Sequence, residues 1–185
     1  DDEETTTDDE TTVTTPVVDG DDMLEVALSP ETPTLGYVAA GRERTTVLAF
    51  DVTAGSEDVT LKEATLEYVG LSNSEDLDVL AVYMNNEKVT KGTSKSFTNN
   101  EVDLAFENDI VIKAGETATL FVTSYVQLPT GNVSHKVALT NLEASSTVEG
   151  DYVVSNSFGV VNSNNVATLD LDINTESSKV TLGEE

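Results

Sequence analysis

Apolar and polar side chains alternate one for one along most of this chain, and turn formers restart the alternation at roughly 10 to 15-residue intervals. Leu24, Val26 and Leu28 alternate with Glu25, Ala27 and Ser29 before Pro30 and Pro33 end the run. Leu48, Phe50 and Val52 share one face of the β-branched stretch Thr45 to Thr53, and the turn Ala54-Gly55-Ser56 follows. Val59 and Leu61 are odd-numbered whereas Ala64, Leu66 and Tyr68 are even, so a bulge or break is expected near Lys62. Further runs cover Leu77 to Met84, Ser96 to Phe106, Asp109 to Ile112 and Thr117 to Gln127, with Lys113-Ala-Gly-Glu116 as a turn. Val133, His135, Val137 and Leu139 give one more. A side chain that changes face at every residue needs a strand, and no window carries the 3.6-residue period of a long helix. The expected fold class is all-β, an antiparallel β-sandwich of seven or more short strands whose core holds Leu24, Val26, Phe50, Leu66, Val82, Leu120 and Val122.

Charge bounds the function. The 185 residues carry 35 Asp and Glu against 9 Lys and Arg, a net charge of −26, with one His and no Cys or Trp. A nucleic-acid binder needs a basic footprint that is missing here. Disulfide frameworks and thiolate zinc sites need cysteines. No apolar run approaches the roughly 20 residues of a membrane helix, and no signal-peptide core opens the chain, so an exported form would be the mature one. Self-repulsion at this level is relieved by salt or bound cations, which points to a saline or calcium-rich exterior and an extracellular, cell-surface location.

Residues 1–22 hold ten acids and no base among clusters of Thr, and are expected to be a linker or tail. Residues 23–150 are the expected sandwich, and 151–185 an extra terminal strand segment. Within the latter, Tyr152 to Ser155 and Phe158 to Val161 suggest a short hairpin. Beyond it, Leu169-Asp-Leu-Asp-Ile-Asn-Thr-Glu-Ser-Ser-Lys-Val-Thr-Leu-Gly183 repeats the form of Leu24-Glu-Val-Ala-Leu-Ser-Pro-Glu-Thr-Pro-Thr-Leu-Gly36. The segment therefore reads as the opening strand of a second copy. Leu169, Leu171 and Ile173 would form its apolar face. Such a strand belongs to a tandem repeat, adds to a neighbouring subunit's sheet, or folds back on its own sandwich.

The run Leu48 to Tyr68, with Ala-Gly-Ser and Asp-Val-Thr-Leu inside it, and the run Ile112-Lys-Ala-Gly-Glu-Thr-Ala-Thr-Leu-Phe-Val122 resemble immunoglobulin-like sandwich domains of prokaryotic surface-layer and extracellular fibre proteins. The resemblance covers residues 23 to 150, with 166 to 183 like the start of another copy. It implies an immunoglobulin-like fold and a structural or adhesive role, with copies of itself or adjacent repeats as partners. No catalytic residue comes with it.

Candidate sites follow from residue chemistry. His135, the only possible triad base, falls on an apolar strand phase and reads as a buried structural residue. Gly-rich phosphate loops and a His metal triad are lacking, so the expectation is a protein that is not an enzyme. Calcium takes six to eight oxygen ligands, and Asn73, Glu75, Asp76 and Asp78 on one acidic loop, with Glu107 and Asp109 on another, are the candidate donors. Asn132-Val133-Ser134 is a glycosylation sequon on an accessible turn. The expected function is that of a repeating subunit of a surface filament or layer, assembled by inter-subunit strand addition. The alternative is an adhesin or carbohydrate-binding module, favoured if Tyr37, Tyr68, Tyr83, Tyr125 and Tyr152 converge on one face.

Overall fold

A computed structural model describes residues 23–34, 36–41, 43–92, 95–129, 133–150 and 152–162. The linker 1–22, the sequon residue Asn132 and the strand face Leu169, Leu171 and Ile173 lie outside the described residues. The elements are β1 (Met23–Leu28), β2 (Tyr37–Ala40), β3 (Arg44–Ala54), β4 (Val59–Tyr68), β5 (Leu77–Met84), β6 (Glu87–Lys88), β7 (Glu101–Ile112), β8 (Thr117–Val126), β9 (Val137–Ala144), β10 (Thr147–Glu149), β11 (Val153–Val154) and β12 (Gly159–Asn162). One 3-10 turn, Ser74–Asp76, is the only helical element among the described residues. They form a six-stranded sheet in the order β10-β1-β3-β8-β5-β6, a four-stranded sheet β11-β9-β4-β7, and the pair β12-β2. All ladders are antiparallel except β1 with β10 and β12 with β2.

The two larger sheets close on one apolar core. Leu24, Phe50, Leu66, Val82, Leu120 and Val122 are fully buried and Val26 nearly so, as the alternation requires. Leu48, Leu61, Leu104 and Leu139 join them from facing strands, which makes this an all-β sandwich. β4 changes register between Leu61 and Glu63 against both β7 and β9, placing a bulge at Lys62. The extra residue lets Leu61 and Ala64 both point inward despite their odd and even numbers.

Three expectations need correction. Glu107 to Asp109 is not a loop between two strands, because β7 runs unbroken to Ile112. Where those residues leave β4, they meet the segment after β6 instead: Glu107 N–H donates to Val89 O (2.8 Å) and Lys91 N–H to Ala105 O (2.7 Å). Ser96 to Thr98 is not strand either; Asn99 and Asn100 take φ of 53° and 67° and turn the chain into β7. Finally, residues 152–162 form no hairpin. β11 pairs with β9 and β12 with β2, so the sandwich runs on past Gly150 to Asn162. A two-residue strand such as Val153–Val154 cannot pin a local partner, and the unpaired edges of β9 and β2 offer longer ones.

β3 spans the whole sandwich and defines its two poles. At one, Arg44 lies opposite Tyr125, and Gly41 N–H donates to Val126 O (3.1 Å). At the other, Ala54 lies opposite Leu24, and Gly55 N–H donates to Met23 O (3.0 Å). The loop between β1 and β2 is fixed to β3 by Thr32: its Oγ1 donates to Ala49 O (2.6 Å) and accepts from Ala49 N–H (3.0 Å).

Candidate functional site

The acidic loop before β5 is shaped by its own hydrogen bonds. Asn73 caps the 3-10 turn: Oδ1 accepts from Glu75 N–H (3.1 Å) and Nδ2 donates to Glu75 Oε2 (3.2 Å). Asp78 Oδ1 accepts from Val79 N–H and Ser96 Oγ, both at 2.8 Å. Asp76 turns the other way, its Oδ2 lying 3.8 Å from His135 Nε2. Glu107 and Asp109 are exposed on β7 in the other sheet. Among the described residues no three His, Cys, Asp or Glu side chains gather as a metal-holding group. The six candidate donors are thus distributed over a cap, a turn, a buried contact and a distant strand.

His135 sits at the centre of a buried polar cluster. It is fully buried, bridged to Phe158 through backbone bonds in both directions, with that ring 5.5 Å away. Tyr68 Oη lies 2.9 Å from His135 Nδ1 and accepts from Ser72 N–H (3.2 Å). Tyr68 Oη and His135 Nδ1 share one hydrogen bond, and the other ring nitrogen, Nε2, faces Asp76. Nε2 has no hydrogen-bond partner, since 3.8 Å is too long. Burial holds the imidazole pKa below its ordinary 6.5, and the negative charge of Asp76 offsets part of that effect. Gly70 is required beside this cluster, because a Cβ there would stand 2.6 Å from Tyr68 Oη and 2.7 Å from Ser134 O. The cluster closes the end of the sandwich where β4, the 3-10 turn and the segment before β9 meet.

A third group lies on the outer face of the six-stranded sheet. Arg44 Nη1 donates to Val79 O (2.8 Å) and Thr123 Oγ1 (3.3 Å). The guanidinium carbon is 4.6 Å from the Tyr125 ring centre and 5.9 Å from that of Tyr83. Val79 has φ +50°, a strained value for a β-branched residue, at the bulge where β5 changes register against β8. No sequence signal marked this group, because the partners of Arg44 lie 35 to 81 residues further along the chain and meet it only through the β3-β8-β5 ladder. Of the other tyrosines, Tyr68 is buried and Tyr37 and Tyr152 are exposed on other elements, so two of five share a patch.

No protein-family model matches this sequence, and no curated protein does. Several solved structures are similar in chain trace. One is AvmM, described as catalysing macrocyclization in alchivemycin A biosynthesis: 9% identity, 80% of this chain and 93% of that one, TM-score 0.37. Another is a family 123 glycoside hydrolase from Clostridium perfringens, at 9% identity over 68% of this chain and 22% of that one, TM-score 0.37. A third is BcpA, the major pilin subunit of Bacillus cereus, at 10% identity over 75% and 40% of the two chains, TM-score 0.28. Likenesses this remote transfer neither activity nor residue roles. They do correct the expectation of a protein that is not an enzyme, since two of these neighbours are enzymes. The physical reason is plain: carboxylate chemistry needs neither Cys, Trp nor His, and this chain has 35 carboxylates.

Proposed function

We propose that the chain is an extracellular structural module joined to copies of itself, or to adjacent repeats, in a surface filament or layer. The joint is the terminal segment, with Leu169, Leu171 and Ile173 as its apolar face. The single observation that carries this reading is a surplus. The sandwich between Met23 and Asn162 already holds a β1, packed between β3 and β10, and the sequence then supplies a second segment of the same form. A strand of alternating Leu and Asp without a sheet exposes both backbone groups and apolar side chains, and is stabilised by another sheet that accepts it. Head-to-tail repetition of such a contact gives an open row of copies. The resemblance to immunoglobulin-like surface domains and the net charge of −26 support the same reading. Calcium or high salt would screen the joint, so association is expected to weaken in chelator and at low ionic strength; light scattering during titration with calcium and then chelator tests this.

A glycan-recognition module is the second reading, favoured by Tyr83 and Tyr125 flanking Arg44. It predicts saturable binding of an acidic glycan by the full chain that Arg44→Ala removes.

A further inference from the structure

β8 is paired on both sides along only part of its length. In the six-stranded sheet it lies between β3 and β5. β5 follows it from Leu77 opposite Val126 to Tyr83 opposite Phe121, then turns away at Asn85 and Asn86. β3 continues beside it as far as Thr117. From Thr117 to Leu120, β8 therefore has β3 on one side and, among the described residues, no strand on the other. Glu116 O accepts from Ala54 N–H, toward β3. Alternation then points the N–H and C=O of Thr117 and Thr119 to the open side.

That open side faces a groove of 680 Å³, within the size range of ligand sites. Its opposite wall is the end of β7, the outermost strand of the four-stranded sheet. The segment after β6 bonds to β7 at Ala105 and Glu107 and stops short of Val111, which is exposed. Toward the core the groove is lined by buried Ile112 and by Met84 and Ala118, which are only partly buried. Thr119 and Phe121 line it on the outer face of the sheet. Its charged lining residues, among those described, are Glu31 and Glu116, both exposed. The lysines nearest to it in sequence are engaged elsewhere, Lys113 with Asp58 and Lys88 with Gly92 O.

From this arrangement we infer that the groove takes an extended segment of another protein in which apolar and basic residues alternate. The segment runs on where β5 turns away and pairs with the β8 edge through Thr117 and Thr119. Four residues of edge, about 13 Å at ~3.3 Å per residue, set the length that is held. Side chains on one face of the segment close over Met84, Ala118 and Ile112. Those on the other cross Phe121 toward Glu31 and Glu116, and two carboxylates with no base beside them select Lys or Arg there. A second copy of this chain is a poor occupant. With 35 acids against 9 bases it would bring like charges together. The seat is separate from the joint proposed above and does not depend on it.

The probe is a capped heptapeptide of alternating Val and Lys, titrated into the isotope-labelled full chain and followed by amide NMR shifts. The shifts should saturate and centre on Thr117 to Thr119, Met84 and Val111. A peptide of alternating Val and Glu should bind at least ~10-fold more weakly, and the exposed double substitution Glu31→Lys with Glu116→Lys should reverse that order. Of two peptides methylated on every Val nitrogen or on every Lys nitrogen, one should bind about tenfold more weakly and the other normally, because one edge of a strand carries one alternate set of donors. No shifts at these amides, or equal binding of the Lys and Glu peptides, overturns the inference. So does an order that the double substitution leaves unchanged. Shifts at the same amides that grow with protein concentration alone would name a second copy as the occupant and overturn it as well.

Discussion

Gly150 shows how much a single position can decide in this sandwich. It takes φ +74°, and a Cβ there would stand 2.5 Å from Val26 O, at the seam where β10 lies beside β1. Gly150→Ala combines left-handed strain with a backbone clash, and should cost about 2–3 kcal/mol in urea unfolding. A loss under about 0.5 kcal/mol would show that the seam yields. At His135 the controlling factor is charge. Its pKa is lowered by burial, so the unfolded chain binds a proton that the folded one resists. Stability is therefore full above the ordinary value of 6.5 and declines as pH falls through it. Phe158, Tyr68 and Asp76 are the groups around the ring, and only the Asp76 charge opposes this slope. The urea midpoint should drop between pH 7.5 and 5.5, and His135→Gln should flatten the drop. The burial of His135 was legible from its apolar strand phase; its contact with Asp76 was not, since that depends on how the 3-10 turn meets the far end of β4.

Among the elements, the β5–β6 hairpin turns on Asn85 and Asn86, with φ of 51° and 65°, the two left-handed residues of a type I′ turn. Asn86→Gly removes the residual strain and should raise stability by about 0.5 kcal/mol, whereas Asn86→Val should lower it by about 1–2 kcal/mol, both read by thermal unfolding. The loop after β1 is tied to β3 by the Thr32 hydroxyl and by Ser29 N–H donating to Ala49 O (3.1 Å), so Thr32→Val, which leaves Ala49 N–H without its hydroxyl partner, should cost about 1–3 kcal/mol. The central strands were legible because both of their faces have a fixed environment: β3, β4 and β8 alternate cleanly, and even the Lys62 bulge was readable from a change of parity. The short late strands β11 and β12 were misread as a hairpin. β12 pairs with the distant β2 and β11 reaches back past β10 to β9, and strands of two and four residues carry almost no period of their own. Likewise, Glu107 to Asp109 has the polarity of a loop but β7 is carried through it as strand, with backbone bonds from Glu107 to Val89 and from Lys91 to Ala105 beside it.

Across the whole molecule, charge and repetition dominate. A net charge of −26, countered by exposed pairs such as Lys113 with Asp58 (2.6 Å) and Lys62 with Glu143 (3.4 Å), leaves the folded state under self-repulsion. Melting temperature should therefore rise by several degrees between low salt and 1 M NaCl, where the screening length is about 3 Å. The acid content was plain in the composition, but where the acids are engaged was not: Glu75, Asp76 and Asp78 are tied to the Asn73 cap, to buried His135 and into a turn. The repeated opening segment was legible because sequence recurrence needs no structure, whereas the opposite placement of the chain's entry into β1 and its exit from β12 became visible only through the ladders of those strands. The central claim is that residues beyond Asn162 join one copy to the next. Negative-stain electron microscopy of the full chain in calcium, beside a truncation ending at Asn162, tests it most directly. Rows or sheets from the full chain and dispersed particles from the truncation are the predicted result; dispersed particles from both, or rows from both, would contradict it.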